Sequence, residues 1–219
     1  MSIKKIMPGP DGRISFSLNV APVSLQASGK RKAELAKIIR GEMSRYGFYY
    51  SGEVAVEITW YGSEERRYEA DSDPDVDNIV KPIIDAMSGV DGILFDDCQV
   101  QHVSCSWIDT NGEDVVDIEI DCPLNQYIEK GDIIFVKYYP ALCFPCRLNS
   151  YQDKHLLESE LANIQSSLKQ RESLRSAGFY YAGKDVMPIQ MLFHITRINK
   201  FEVVSYDEID AYLNKYYVE

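Results

Sequence analysis

The sequence predicts an α+β fold, with a small mixed β-sheet and two packed helices, followed by a second, smaller α+β unit. Within residues 1–123, apolar periods typical of strands and of helices follow one another in the order strand, helix, strand, helix, strand, strand. A change in composition around residues 123–131 separates this unit from an extension over residues 124–219. Apolar residues make up 45% of the chain, which suits a globular core, and no apolar run reaches membrane-spanning length.

Four strands are predicted in the first unit. Alternating apolar residues indicate strands over residues 14–20, 54–60, 100–108 and 115–120. The dipeptide Asn111-Gly112 between the last two favours a hairpin that pairs them with each other. The second strand has the clearest alternation, and its predicted buried face is made of Val54, Val56, Ile58 and Trp60.

Two helices are predicted in the same unit. The first has Ser28 as its N-cap and extends to about Tyr46, before Gly47. Its apolar face is predicted to consist of Leu35, Ile38, Ile39, Met43 and Tyr46. The second has Asp77 as its N-cap and stops at Gly89. Its apolar face is predicted to consist of Ile79, Ile83, Ala86 and Met87.

Residues 71–99 carry the most informative pattern, because they hold eight aspartates and one lysine. Asp73, Asp75 and Asp77 alternate at the start of the second helix, and a further pair precedes a strand, so the two acidic segments can converge in the fold. Carboxylates that converge repel one another unless a cation joins them. Oxygen ligands of this kind suit Mg²⁺ or Mn²⁺. Lys81 lies one helical turn after Asp77, where it can reach a phosphate or an attacking water.

Two other structures share features with this stretch. An EF-hand loop also begins with alternating aspartates, but it requires Gly at its sixth position and Glu at its twelfth. The chain has Asn78 and Ile84 there, which excludes that loop. A solvated acidic loop with a helix cap would explain the alternating aspartates alone. It leaves unexplained the lysine at position 81 and the pair Asp96-Asp97.

The ordered set Asp75-x-Asp77-Asn78-x-x-Lys81, Asp85-Ala86-Met87 and Asp96-Asp97-Cys98-Gln99-Val100 resembles the RusA family of Holliday junction resolvases. The resemblance spans roughly residues 14–121. It implies that Asp75, Asp77 and Asp97 are metal-binding catalytic carboxylates, that Lys81 is a catalytic-site lysine and that Asp96 lies next to the metal. It also implies a homodimer that nicks two strands of a four-way junction.

The net charge of −11 argues against a general nucleic-acid-binding protein, but the charge is unevenly distributed. Residues 1–50 have a net charge of +6, residues 51–125 of −16 and residues 126–219 of −1. The basic excess lies on the first helix, which either contacts DNA phosphates or is an ordinary solvated surface. The candidate DNA contacts are Lys30, Arg31, Lys32, Lys37 and Arg40, with Arg66 and Arg67 in a charged loop before the aspartates.

The extension over residues 124–219 is predicted to contain strands at 132–138, 191–198 and 202–204 and a long helix over 153–175. The segment from Ser205 to Glu208 has the form of a capping box for a last helix that ends near Tyr216. This half is interpreted as an interaction or regulatory domain, with dimer stabilisation as the alternative.

Five cysteines, an odd number, do not form a disulfide framework. Cys143 and Cys146 form one CxxC without a second pair, and His155 is the nearest other candidate ligand. Structural zinc sites use four ligands, so reduced and packed cysteines are favoured over zinc or redox chemistry.

The hypothesis for function is a Mg²⁺-dependent endonuclease that resolves four-way DNA junctions by paired nicking, with Mn²⁺ as an alternative cation. The resemblance implies a role in DNA recombination and repair. Two alternatives stay open: a catalytically inactive nucleic-acid or protein-binding module on the same fold, and a nuclease that prefers flaps, forks or single strands. The first residues lack a signal-peptide core, so the expected location is the cytoplasm. The resemblance implies a prophage-derived origin.

Overall fold

The structure is a computed structural model that describes residues 5–69, 74–150, 153–198 and 200–217. The chain divides into two compact units, Met1–Ile128 and Glu129–Glu219. The boundary between these units lies five residues after the predicted end of the first domain at residue 123. The assignment of a separate function to each domain stays a prediction. The mixture of helices and mixed sheets in the described residues confirms the α+β class.

Within its described residues, the first unit has three α-helices and six strands, and the last strand ends at residue 129. In chain order they are β1 (Arg13–Leu18), α1 (Gly29–Met43), β2 (Phe48–Tyr50), β3 (Val54–Gly62), α2 (Glu64–Glu69), α3 (Val76–Met87), β4 (Val100–Asp109), β5 (Val115–Asp121) and β6 (Tyr127–Glu129). Four of the strands form one sheet in the order β1-β5-β3-β4, and β2 pairs with β6. The sheet is mixed, because β3 is parallel to β4 and antiparallel to β5.

The predicted hairpin between β4 and β5 is wrong. Both strands pair with β3, one on each side of it, so the segment between them crosses the end of β3. Two hydrogen bonds hold that crossing: Thr110 N donates to Gly62 O at 2.9 Å, and Trp60 Nε1 donates to Asp114 Oδ1 at 2.9 Å. The strand with the strongest apolar alternation is therefore one of the two inner strands of the sheet, and it pairs with a neighbouring strand on each side.

The core of the first unit lies between this sheet and the helices α1 and α3. The predicted inward residues of β3 are all buried, as are those of α3. On α1, Leu35, Ile39 and Met43 are buried, but Ile38 is exposed and its assignment to the apolar face is wrong. Ser28 caps α1 as predicted, since its hydroxyl accepts from Arg31 N.

The described part of the second unit has four strands and three α-helices. In chain order they are β7 (Ile133–Tyr138), β8 (Leu142–Arg147), α4 (Lys154–Ser176), α5 (Tyr180–Val186), β9 (Phe193–His194), β10 (Glu202–Ser205) and α6 (Ile209–Tyr216). The strands form a sheet in the order β10-β7-β8-β9. Its core joins residues of β7 and β8 to one face of α4 and to α6.

Three details of the second unit differ from the prediction. β8 is not among the predicted strands, and Pro145 in its sequence is unusual for an inner strand. Among the described residues, β9 pairs with the start of β8 and leaves Pro145 without a neighbour on that side. The predicted strand at 191–198 shrinks to β9, flanked by 3-10 turns. Ser205 caps a 3-10 turn without a side-chain hydrogen bond, so the predicted capping box is absent. No described helix is long and apolar enough to span a membrane.

Cys143 and Cys146 lie on β8, and both are buried and unpaired. Burial raises the pKa of Cys143 to about 11 and that of Cys146 to about 12. Both thiols are therefore protonated near neutral pH. These features agree with the packed, reduced cysteines expected from the sequence.

Candidate active site

The acidic start of α3 carries two of the predicted catalytic carboxylates. Asp75 is the N-cap, with extended backbone at φ −69° and ψ 158°, and Asp77 lies in the first helical turn. The prediction that Asp77 caps the helix is therefore wrong by two residues. The Asp75 side chain makes no capping hydrogen bond to the helix, and both carboxylates are exposed. Asp73 lies outside the described residues.

Lys81 joins this helix to the second acidic segment. It lies four residues after Asp77, on the same helical face, and its ammonium donates to Asp97 Oδ2 at 2.7 Å. The same ammonium donates to Asp85, one turn further along α3. The structure therefore brings together Lys81 and Asp97, which the sequence separates by 16 residues.

These contacts set the charge of Lys81. Partial burial on its own would lower the pKa of this lysine, but the hydrogen bonds and attraction of Asp85 and Asp97 outweigh that effect. The net result is a pKa raised above the ordinary value of 10.5. Lys81 is therefore an ammonium at neutral pH, and it acts as a cation and hydrogen-bond donor, not as a base.

Asp97 begins a 3-10 turn, Asp97–Gln99, that follows a buried apolar run. Asp96 caps this turn, and its Oδ1 accepts from Cys98 N at 3.1 Å. Asp96 therefore has a capping role, as well as its place beside the predicted catalytic residue. The turn leads directly into β4, so Asp97 is fixed at the start of a sheet strand.

Gln99 was missed as a site residue by the sequence reasoning, although it holds this turn in place. Its buried Nε2 donates to Tyr50 O at 2.8 Å and to Gly52 O at 2.9 Å. Its Oε1 accepts from Phe95 N at 2.7 Å and from Asp96 N at 3.3 Å. All hydrogen-bonding capacity of the amide is used: Nε2 fastens the turn to the end of β2 and the residues after it, and Oε1 holds the backbone that leads into the turn. The sequence signal was its place in the ordered motif Asp96-Asp97-Cys98-Gln99-Val100.

The residues at the site suit a hard divalent cation by their chemistry. Asp75, Asp77, Asp96 and Asp97 offer only oxygen donors, and Asp75 spends no hydrogen bond on its helix. Within the residues that the structure describes, no three His, Cys, Asp or Glu side chains are grouped closely enough to hold a metal ion. The aspartates before Pro74 lie outside the described residues, so that statement does not include them.

The start of the basic helix lies near the start of α3. Leu25 N donates to Asn78 O, in the first turn of α3, at 2.8 Å. Lys30 and Arg31 follow in the first turn of α1 and are exposed, whereas Lys32 donates to Leu25 O at 3.1 Å. Through Leu25, Lys32 is therefore linked to the first turn of α3, which carries Asp77.

The remaining candidate DNA contacts are more scattered. Lys37 is exposed on α1, whereas Arg40 is partly covered, and its Nε is buried without a hydrogen-bond partner among the described residues. Arg66 and Arg67 belong to the short helix α2, so the loop predicted there is wrong. Their side chains are outside the described part of the chain.

We expect Gln99→Ala to destabilise the protein by at least about 2 kcal/mol, because it leaves two buried carbonyls and two amides without partners. Urea unfolding measures the loss, and hydrogen exchange at Phe95 N reports the loosened turn. The matched control is Gln101→Ala, which removes an exposed amide and should change stability by about 0.5 kcal/mol or less. Equal effects of the two substitutions would contradict the anchoring role.

Asp97→Asn should lower the pKa of Lys81, because it removes one of the two carboxylates that raise it. An NMR titration of the lysine side chain measures the change. Asp91→Asn, an exposed aspartate of the same stretch, serves as the control. Since the folded pKa is raised, the ammonium stabilises the fold fully below pH 10.5 and loses that effect as pH rises through the raised value. An unchanged titration in Asp97→Asn would refute the pairing.

A comparison with protein families identifies the first unit. The profile of the family described as endodeoxyribonuclease RusA matches residues 8–121, just over half of the 219 residues. No curated protein matches the chain. The family match covers Asp75, Asp77, Lys81 and Asp97, and it confirms the resemblance seen in the sequence. RusA resolvases are endodeoxyribonucleases that act on branched DNA. The chain belongs to the RusA endodeoxyribonuclease family.

Proposed function

We propose that this protein is a divalent-cation-dependent endonuclease that resolves four-way DNA junctions by paired nicking as a homodimer. The bond from Lys81 Nζ to Asp97 Oδ2 supports this best. It ties the helix that carries Asp75 and Asp77 to the turn that carries the third carboxylate. We further propose a cytoplasmic role in recombination and repair, with a prophage origin.

In this proposal Asp75, Asp77 and Asp97 hold Mg²⁺ or Mn²⁺, with Asp96 as a neighbouring oxygen donor. A cation bound there supplies Lewis acidity toward phosphate oxygens and lowers the pKa of water. The reaction is phosphodiester hydrolysis: water oxygen forms a bond to phosphorus, and the bond from phosphorus to one sugar oxygen breaks. No side-chain nucleophile is needed for this chemistry.

Lys81 contributes a fixed positive charge beside the reacting phosphate. Its pKa is raised by Asp85 and Asp97, so it keeps its proton at neutral pH and donates hydrogen bonds. A donor in this place orients the attacking water or stabilises charge on the leaving oxygen. It also offsets the repulsion between carboxylates before substrate arrives.

The distribution of charge over the first unit supports an approach of DNA from the helix-bearing side. The face of the sheet opposite the helices carries Glu57 and Asp117, and Glu57 is directly opposite Glu119 in the strand register. That face repels phosphates. The cations of α1 lie on the other side, together with α3 and the candidate carboxylates, and are proposed to bind the DNA backbone.

The long edge strand β4 supports the homodimer. It has ten residues and, among the described residues, pairs only with β3. Val103 and Ile108 on this strand are 42% and 45% exposed. An uncovered edge with exposed apolar residues is a site for strand pairing, and two copies related by a two-fold axis would join their sheets there.

Asp77→Asn should reduce the cleavage of a four-way junction at least about 100-fold, because it removes a proposed metal ligand. The assay follows labelled junction, fork and linear duplex with Mg²⁺, Mn²⁺ or EDTA. Glu57→Gln, on the opposite face of the sheet, should retain full activity. Paired nicks of the junction that require metal would establish the resolvase. Cleavage of forks alone would retain the nuclease and reject the junction specificity, and binding without cleavage would reject the enzyme.

The double substitution Val103→Lys/Ile108→Lys should convert the dimer to a monomer, because it places charges on both exposed apolar positions of β4. Size-exclusion chromatography with light scattering measures the mass. Leu124→Lys, which changes an exposed apolar residue outside β4, should leave the dimer intact. A dimer that survives the double substitution would place the interface elsewhere, and a monomeric native protein would reject the dimer.

A further inference from the structure

Three consecutive aromatic side chains project from the corner between α4 and α5. Phe179, Tyr180 and Tyr181 are 62%, 55% and 79% exposed. The rings of the two tyrosines lie edge to face, with centroids 5.5 Å apart. Soluble proteins rarely expose aromatic groups side by side without a binding role.

The same four-residue sequence, Gly-Phe-Tyr-Tyr, occurs at residues 47–50 and at residues 178–181. In the first place it leads into β2, where Phe48, Tyr49 and Tyr50 are all buried. In the second place it starts α5, and its three aromatic rings face solvent. The same aromatic sequence is therefore buried in the first unit and exposed in the second unit.

The backbone of this corner is well fixed. Gly178, at φ +87°, ends α4, and Phe179 N donates to Leu174 O at 2.8 Å. Gly183 lets α5 pack closely on α4, since a Cβ there would lie 3.0 Å from Arg171 O. A fixed backbone lowers the entropic cost of binding through the exposed rings.

Two cations, Lys184 and Arg175, lie at the same corner as the aromatic rings, and Arg175 Nη1 is 3.7 Å from Glu172. Lys184 lies one helical turn after Tyr180 and Tyr181, on the same face of α5. The Arg175 side chain reaches the same corner, because its Cγ lies 3.1 Å from the position of a Cβ at Gly183. Residues 169–184 carry four Lys or Arg and one Glu, whereas the rest of residues 129–219 carries seven Lys or Arg and eleven Asp or Glu. The exposed aromatics therefore sit in a positive region of an otherwise acidic unit.

We infer that the α4–α5 corner binds unpaired nucleotides, with Tyr180 and Tyr181 stacked on bases and Lys184 and Arg175 near the phosphates. Exposed aromatic rings beside cations match single-stranded nucleic acid, whose bases stack on such rings without sequence preference. A second copy of the corner is a poor fit, since a symmetric contact would bring like charges together. The inference rests on the proposed action on branched DNA, in which bases at the branch point lose their partners.

The test is binding of fluorescein-labelled dT20 to the full chain in EDTA, measured by anisotropy. Tyr180→Ala/Tyr181→Ala should weaken binding about 5- to 100-fold, with linear duplex binding unchanged. Tyr139→Ala, which removes the most exposed tyrosine of the β7–β8 turn, should have no effect. A double variant that binds dT20 as tightly as the native chain, or loses duplex binding equally, would overturn the inference. So would a native chain that does not bind dT20.

The salt dependence of dT20 binding distinguishes base stacking from contacts to phosphates. Lys184→Gln/Arg175→Gln should reduce the salt dependence of dT20 binding by roughly one phosphate contact per residue removed, and the tyrosine variant should keep the native slope. A tyrosine variant that changes the slope, or the mass of the protein in solution, would overturn the stacking role. These binding measurements use EDTA and are therefore independent of cleavage. If the tyrosine variant binds dT20 as tightly as the native chain, only this inference is rejected. If the native chain binds dT20 but does not cleave the junction, only the proposed nuclease is rejected.

Discussion

A single buried amide determines where the second acidic segment of the first unit lies. Gln99 satisfies four backbone groups at once and fixes the turn that carries Asp97 against the chain after β2. In a low-dielectric interior, such a fully bonded amide gives one geometry, since any shift leaves buried polar groups unpaired. The position of Asp97, and through it the bond to Lys81, follows from that constraint.

The acidic segments of the site hold far more negative than positive charge. Residues 51–125 carry nineteen Asp and Glu against three Lys and Arg, so the fold gathers more negative charge than it can neutralise. Lys81 offsets two of the carboxylates, and the chain leaves Asp75 without a capping bond. An excess of oxygen donors beside one retained ammonium is typical of sites that use a divalent cation on a phosphate substrate.

Much of this arrangement could be predicted from the sequence, because apolar periods and an ordered acidic motif are local signals. The family, the α+β class, α1 with its cap and the buried residues of β3 were all predicted correctly. The start of α3 was misplaced because alternate aspartates are equally good caps. The pairing of β4 and β5 and the role of Gln99 depend on distant residues, and no local pattern contains them. The ion pair between Lys81 and Asp97 also joins residues that are distant in the sequence, so no local pattern predicts it.

The place of β5 between β1 and β3 has a consequence for synthesis of the chain. β1 pairs with β5 alone in the four-stranded sheet, and Arg13 and Asp121 in that pair are 108 residues apart. During synthesis, β1 therefore has no partner in this sheet until nearly the whole first unit has been made. Closing so long a loop is entropically costly, so β1 joins the sheet late, and chains that end before β5 lack the strand that links β1 to β3 and β4.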